Sequence, residues 1–171
     1  MSVVARAVGG WFVVIATVAG CSAGSPATVT QRFDDARVEA RVHFERASEF
    51  TGVVIAEFTP TGRGIHLYGL DLPAAGIDGA GRPTRIEVVD DRWRPAGTLT
   101  ASTEAELIDY PGFDEPFPVF PEGPVTLRQA VERSGATDDG SIAATVTFMA
   151  CTSTGLCYVP VVAQPFAIPT R

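Results

Sequence analysis

Two cysteines near the C-terminus are the residues of this chain whose type and spacing could support chemistry. The stretch FMACTSTGLCYVPVV, residues 148–162, places Cys151 and Cys157 six positions apart around a short polar segment that includes Gly155. Such a pair admits three interpretations: a structural disulfide, a metal site, or a disulfide that is opened and closed during function.

A hairpin would bring the two cysteines together. A loop of residues 153–155 would pair Thr152 with Leu156 and set Cys151 opposite Cys157, with the glycine of the loop in the left-handed conformation. Residues directly opposed in an antiparallel pair lie within the range that a disulfide bridges. The spacing therefore predicts a bridgeable pair at an accessible hairpin tip.

The three interpretations differ in what they require. Chain entropy gives a bridge that closes so short a loop about 2.4 kcal/mol of stability, so a structural disulfide would contribute little here. A metal site would need both histidines of the chain, His43 and His66, at the cysteines, and His43 falls on the polar face of a predicted strand. We therefore predict no metal and no cofactor, and the cysteine geometry leaves a structural and a redox-active disulfide open.

The N-terminal segment MSVVARAVGGWFVVIATVAGC predicts export. Arg6 precedes an apolar run shorter than the roughly 20 residues that span a bilayer, and the run ends in Val-Ala-Gly-Cys, which resembles the lipobox of bacterial lipoproteins. The resemblance implies a signal peptide over residues 1–20 and lipidation of Cys21. The small, polar residues that follow suit a tether over residues 21–31, and the domain then covers residues 32–171. A plain secretory signal and an uncleaved anchor are the alternatives.

The amino-acid composition limits which other classes of protein are expected. The chain is 46% hydrophobic and 19% charged, which suits one folded domain rather than a disordered segment. Its net charge is −7, and all 13 basic residues are arginines that form no basic stripe, so nucleic acid is not an expected partner.

Short apolar and alternating runs, punctuated by Gly and Pro, predict an all-β sandwich with antiparallel sheets. Residues 125–131 are also compatible with a short helix. The predicted strands cover residues 36–45, 52–58, 65–70, 84–89, 125–131, 141–150 and 158–168.

The stretch ATVTFMACTSTGLCYVPVV resembles the active-site hairpin of the N-terminal domain of the DsbD thiol:disulfide interchange proteins. The resemblance rests on Cys151, Gly155, Cys157, Tyr158 and Pro160. Upstream, the stretch GIHLY, residues 64–68, resembles the Gly-Tyr-Tyr-Leu-Tyr strand of the same family.

This resemblance implies an immunoglobulin-like sandwich with one redox-active cysteine pair. Cys157 matches the cysteine that forms mixed disulfides with partners, and Cys151 matches the resolving cysteine. The implied partners are a thioredoxin-like or membrane-embedded thiol reductant as electron donor and exported proteins with disulfides as clients. The implied location is the outer face of the bacterial cell membrane, with the lipid anchor in place of the family's covalent link to its membrane segment.

The family also covers its cysteines with a mobile loop that carries an aromatic cap. The matching region is IDYPGF, residues 108–113, in which Tyr110 is the better match to the cap and Phe113 the second. Asp109 beside them would raise the pKa of a nearby thiol, or is a solvated loop acid. Tyr68 matches an aromatic residue that lines the family's site, or is a core tyrosine, and His66 stands where the family has tyrosine.

The predicted function is therefore that of a thiol:disulfide interchange domain, an oxidoreductase that relays reducing equivalents. The alternatives are a lipoprotein binding module in which the disulfide only pins a hairpin, and an accessory subunit that docks on a membrane redox protein without exchanging electrons.

Overall fold

The computed structural model of the protein describes residues 26–135 and 140–171. The predicted signal peptide, Cys21 and the first part of the predicted tether lie outside the described residues. Within the described ranges no helix is long and apolar enough to cross a bilayer.

The described residues form β-strands and no helix. All strand pairs are antiparallel. The strands are Thr28–Phe33 (β1), Val38–Arg46 (β2), Thr51–Pro60 (β3), Ile65–Leu67 (β4), Arg85–Val88 (β5), Trp93–Pro95 (β6), Thr100–Ala101 (β7), Glu106–Ile108 (β8), Phe117–Val119 (β9), Val125–Arg133 (β10), Ser141–Phe148 (β11), Ala150–Thr152 (β12) and Val161–Pro169 (β13).

Two sheets make the sandwich. The larger sheet has the order β1-β2-β3-β10-β6, with β7 also paired to β10, and the smaller sheet has the order β13-β11-β5. Two short pairs, β12-β4 and β8-β9, lie outside these sheets. The predicted all-β, antiparallel sandwich is confirmed.

The core lies between the sheets because the longest strands alternate apolar and polar residues. Along β2, Val38, Ala40 and Val42 are fully buried while their neighbours are partly or fully exposed. Along β11, Ile142, Val146 and Phe148 face them from the other sheet within the same cluster. Period-two alternation places these side chains on one face of each strand, which is the face that each sheet must bury.

A bulge near the end of β11 directs the chain toward the cysteines. The register of the β11–β13 pair shifts between Val146 and Phe148, and the hydroxyl of Thr147 accepts a hydrogen bond of 3.0 Å from the backbone of Ala163. Ala163 has φ +49°, an uncommon conformation for a residue with a Cβ. The chain leaves the smaller sheet at this point and continues as β12, which pairs with β4 instead.

The structure differs from the sequence-based expectations at several elements. Residues 125–131 belong to a strand and not a helix, because β10 lies in the larger sheet between β3 and two short strands. The predicted strand 141–150 is divided at Met149 by the bulge. Strand β1 begins at Thr28, inside the segment predicted as a tether, because Val29 and Phe33 pack against the core from an edge position.

Candidate thiol–disulfide site

The first cysteine is held by two neighbouring strands. Cys151 lies in the centre of β12, and its backbone is paired with His66 at the centre of β4. On the other side of β12, Tyr158 donates a backbone hydrogen bond of 2.9 Å to Ala150. Cys151 is therefore fixed from both edges, and it is only 1% exposed.

A tight turn joins the cysteines in the way the sequence predicts. The backbone N–H of Thr152 donates to the carbonyl of Leu156 at 2.8 Å, and the N–H of Gly155 donates to the carbonyl of Thr152 at 2.9 Å. Gly155 has φ +88°, a conformation that glycine adopts without a Cβ penalty. Cys151 and Cys157 face each other as an antiparallel bridge.

The two cysteines form a disulfide with an S–S distance of 2.05 Å and a Cα–Cα distance of 4.0 Å. Their environments differ sharply. Cys151 is buried beneath the strands, whereas Cys157 is exposed at the edge of the hairpin. A molecule that approaches from solvent therefore meets Cys157 first, and the sulfur of Cys151 lies behind it.

The hydroxyl of Tyr68 contacts both sulfur atoms. Its oxygen lies 3.2 Å from Sγ of Cys151 and 3.8 Å from Sγ of Cys157. Since a disulfide sulfur carries no proton, Tyr68 is the donor in both contacts. The shorter contact is to the buried sulfur.

The phenol of Tyr68 is kept protonated by its surroundings. Burial, and secondarily the neighbouring Tyr110, raise the pKa of Tyr68 to about 12. Thr84 holds its backbone in place, with the hydroxyl donating to the Tyr68 carbonyl at 2.6 Å. At neutral pH the side chain is therefore a fixed hydrogen-bond donor directed at the disulfide.

The predicted cap loop connects β8 to β9 beside this hydroxyl. Tyr110 and Phe113 are both half-buried, and both pack edge-on against Phe117, with ring centroids 5.5 and 4.9 Å away. Tyr68 packs on the same ring at 5.6 Å. The four aromatic residues and Cys151 thus form one small cluster, separate from the main core.

A cleft of about 560 Å³ separates the cap loop from the cysteine hairpin. Its walls include the two cysteines, Tyr68 and Phe117, and its rim includes the exposed Asp109. The cleft opens onto the disulfide and is large enough to admit a side chain or a short peptide segment of a partner.

His66 lies beneath the cap and is 4% exposed. Its Nε2 atom lies 3.2 Å from the hydroxyl oxygen of Tyr110, and its ring meets that of Tyr68 edge-on at 6.1 Å. Burial lowers the pKa of His66, and the nearby carboxylate of Glu122 opposes that effect. The imidazole is therefore neutral at pH 7.

Glu122 also supports the hairpin tip. Its carboxylate accepts a hydrogen bond of 3.0 Å from the backbone of Gly64, and the Gly64 carbonyl accepts one of 3.0 Å from the backbone of Ser153. The turn between the cysteines is thereby attached to the start of β4, which also carries His66.

The structure brings together the residues singled out in the sequence: Cys151, Cys157, Tyr68, Tyr110, Phe113 and Asp109 all line the cleft. Sequence reasoning missed Phe117, whose ring is the centre of the aromatic cluster, and it assigned no part to His66. The only local signal for Phe117 was an aromatic residue between two prolines, Pro116 and Pro118.

Among the described residues, no group of three or more His, Cys, Asp and Glu side chains is placed to hold a metal ion. The chemistry available at the site is that of sulfur, with a phenol as hydrogen-bond donor.

Comparison with known proteins finds a solved structure with a clearly similar fold. No protein-family model and no curated protein matches the chain. The N-terminal periplasmic domain of ScsB from Proteus mirabilis has a similar structure, with a TM-score of 0.55 and 12% identity over 84% of this chain and 51% of that one. The match thus spans about half the length of the ScsB chain.

Two further structures have lower scores. The DsbD N-terminal domain of Neisseria meningitidis, in its reduced form, has a TM-score of 0.44 and 16% identity over 75% of this chain and 83% of that one. The GAE domain of GGA2p from Saccharomyces cerevisiae has a TM-score of 0.47 and 9% identity over 85% and 100% of the two chains. By its fold, the chain is an immunoglobulin-like β-sandwich similar to the N-terminal periplasmic domain of ScsB.

Proposed function

We propose that this protein is a thiol:disulfide interchange domain of the bacterial cell envelope, which relays reducing equivalents through Cys151 and Cys157. One observation carries the proposal: the disulfide has one exposed and one buried sulfur, and a protonated phenol contacts both inside a cleft. A disulfide that only pins a hairpin needs neither the cleft nor the donor.

The exposed sulfur determines the order of the steps. A thiolate of the electron donor attacks Sγ of Cys157, the bond to Cys151 breaks, and Cys151 leaves as a thiolate. A second thiolate of the donor then attacks the donor sulfur of this mixed disulfide. The donor leaves with a new disulfide of its own, and Cys157 is released as a thiolate.

Reduction of a client reverses these roles. The Cys157 thiolate attacks one sulfur of the client disulfide, and the other client sulfur leaves as a thiolate. Cys151 then attacks Sγ of Cys157, which releases the second client sulfur and restores the Cys151–Cys157 disulfide. Two electrons pass to the client in each cycle, and its thiolates take up protons from water.

Tyr68 assists at the buried sulfur. When Cys151 leaves as a thiolate, negative charge develops on an atom that is almost inaccessible to water. The hydroxyl of Tyr68, already 3.2 Å away, donates to this charge, and hydrogen bonds to charged groups are stronger than those to neutral ones. Tyr68 therefore favours departure of Cys151 over departure of Cys157.

The cap loop regulates access from the cleft side. Tyr110 and Phe113 shield the buried sulfur from water and adventitious thiols until a partner enters the cleft, and Asp109 at the rim disfavours a thiolate nearby. These roles follow the resemblance to the DsbD family and the lining of the cleft.

The proposed location is the outer face of the bacterial cell membrane, with Cys21 lipidated after removal of residues 1–20. Export provides the oxidising compartment in which a disulfide persists. The partners are a thioredoxin-like or membrane-embedded thiol reductant as donor and exported disulfide-containing proteins as clients. The similar ScsB structure is itself a periplasmic domain.

The equilibrium reduction potential of the pair tests the proposal. The purified protein is titrated against glutathione or dithiothreitol couples, and free thiols are alkylated and counted. A value between about −180 and −270 mV, the range of known exchange proteins, is expected. A value below about −300 mV would mark a structural disulfide, and the competing function of a binding module would replace the proposed one.

A trapping experiment follows from the same chemistry. A Cys151→Ala variant keeps the attacking thiol but cannot resolve the mixed disulfide, so it should accumulate covalent complexes with its partners. A Cys157→Ala variant, in which the remaining thiol is buried, is the matched control and should trap far fewer.

A further inference from the structure

His66 contacts the site on three sides although the chemistry does not use it. Its backbone is paired with Cys151, its ring meets Tyr68 edge-on, and its Nε2 atom is hydrogen-bonded to the hydroxyl of Tyr110. The hydrogen bond to the Tyr110 hydroxyl links His66 to the cap loop.

The groups around this imidazole come from four elements. It shares a small cavity of about 170 Å³ with Glu106 of β8, Tyr110 of the cap loop, Glu122 after β9, and Ser153 of the hairpin. Tyr68, directly after the strand that carries His66, is the other titratable neighbour, and Cys151 opposite is held in the disulfide. The two glutamates are the charged residues that line this cavity, and the carboxylate of Glu122 acts on the pKa of the imidazole.

We propose that His66 is a positioning residue that fastens the cap over the buried sulfur of Cys151 through the Tyr110 hydroxyl, and that protonation of the imidazole favours release of the cap. The inference deepens the proposed function, since it concerns access to the same disulfide. With the cap fastened, partners reach only Cys157, and release of the cap opens Cys151 as well.

The sign of the pH dependence follows from burial. With the cap closed, burial lowers the pKa of His66 more than Glu122 raises it. An open cap hydrates the ring and returns its pKa toward the ordinary value of 6.5. Because the open state binds the proton more tightly, acidification shifts the population toward the open cap, whichever ring nitrogen carries the proton in the neutral form.

The test measures how often Cys151 becomes accessible. In a background with Cys21→Ser and Cys157→Ala, Cys151 is the single thiol, and its alkylation by N-ethylmaleimide requires the cap to open. The rate also depends on the thiolate fraction. Each variant is therefore compared with the same background at the same pH, and the ratio of rates is the quantity reported.

At pH 8 the substitutions His66→Phe and Tyr110→Phe should each raise the rate about two- to twelvefold, the population ratio that corresponds to the net contribution of one hydrogen bond. The double variant should be no faster than either single variant, because both remove the same interaction. Tyr110→Phe keeps the ring and removes one hydroxyl, so it carries the test should His66→Phe fail to fold.

At pH 5 the ratio for His66→Phe should fall toward one, because protonation has already released the cap in the background protein. His66→Gln supplies a donor and an acceptor in place of the imidazole but does not titrate. The alkylation rate of Cys151 in the His66→Gln variant, divided by the rate in the background protein, should be near one at pH 8 and below one at pH 5. The second histidine provides the matched control: His43 lies on β2, and His43→Gln should give a ratio of one throughout.

Two results would overturn the inference: a ratio of one for Tyr110→Phe at pH 8, or equal effects of His66→Gln and His66→Phe at both pH values. Neither result bears on the reduction potential of the unmodified protein, which decides the proposed function. The two proposals can thus fail separately.

Discussion

The sandwich core and the cysteine site are built from different kinds of side chain and from strands of different length. The core joins buried aliphatic and phenyl side chains from strands of up to ten residues, such as β3 and β10. The site joins sulfur, phenol hydroxyls and an imidazole, carried by β4, β8, β9 and β12, each of three residues. We therefore expect the core to supply most of the stability, so that the disulfide of the proposed site can open without loss of the fold.

The difference extends to how each region is held. Each long strand of the core shares a ladder of backbone pairs with its neighbours, nine between β2 and β3 alone. Strand β12 shares three residue pairs with β4, and the cap pair β8–β9 also shares three. Regions with few backbone and apolar contacts open locally at lower free energy than the global unfolding transition. The cap is therefore the element that is expected to move.

The largest expected effect is on exchange when either sulfur is removed. Cys157→Ser and Cys151→Ser should each abolish turnover with a protein disulfide substrate, because one thiol cannot complete the cycle. Both variants should stay folded, since the sandwich core lies elsewhere. Turnover is measured with a thiol-sensitive assay and folding by far-ultraviolet circular dichroism. Residual turnover in either variant would contradict the assigned roles.

A substitution in the core should have the opposite pattern of effects: it should change stability and leave the redox chemistry unchanged. Leu127→Ala in β10, a fully buried position, should lower the free energy of unfolding by about 2–5 kcal/mol because it leaves a cavity. The reduction potential of the folded protein should not change. Denaturant unfolding measures the first quantity and redox titration the second, and a large shift in potential would show that the two regions are coupled.

A smaller effect is expected from the hydroxyl that touches the sulfurs. Tyr68→Phe should slow reduction of the disulfide roughly tenfold or more, because a hydrogen bond to the developing Cys151 thiolate contributes about 1.5–3 kcal/mol. Tyr158→Phe, in the second arm of the hairpin, is the matched control and should change the rate little. Stopped-flow reduction by dithiothreitol separates the two, and equal rates for both variants would exclude a role for the Tyr68 hydroxyl.

The smallest expected effect is the pH dependence of stability, which should differ between the two regions because Asp90 titrates in the sandwich and His66 in the site. Asp90, whose side chain is 3% exposed, accepts backbone hydrogen bonds from Arg92, Trp93 and Ala143. Burial alone would raise its pKa, but these bonds and the Arg92 side chain hold the pKa below the ordinary value of 3.8.

The stability that Asp90 contributes is therefore present above about pH 4 and is lost as the pH falls further. The contribution of His66, whose pKa is also lowered, is present above about pH 6.5 and is lost from there downward. Hydrogen exchange between pH 3 and 8 should show the cap loosening before the sandwich. Asp90→Asn should remove part of the acid sensitivity below pH 4 only, and simultaneous loosening would contradict the assignment.

The sequence predicted the long strands because alternation of apolar residues is a local property. The runs that became β2, β3 and β11 are recognisable from their own residues. The strands β6 to β9 were not predicted, because segments of two or three residues are too short to show a period of apolar residues. Their pairing is set by the strands against which they lie.

The helix alternative at residues 125–131 shows the same limit. The segment VTLRQAV is so short that its apolar residues fit both the helical period and the strand period, and only its position between β3 and β6 makes it a strand. Residues 28–31 of β1 were predicted to belong to a tether because the segment is small and polar, a composition that a half-exposed edge strand permits.

By itself, the sequence determined the β-sandwich class and the cysteine hairpin. The contact between Cys151 and Cys157 spans six residues, so one turn chemistry, with Gly155 at positive φ, is enough to form it. The tertiary structure decided which sulfur is buried and which groups face it. Tyr68 meets Cys151 across 83 residues and Tyr110 meets His66 across 44, and contacts over such separations arise only when the sheets and the cap pack together.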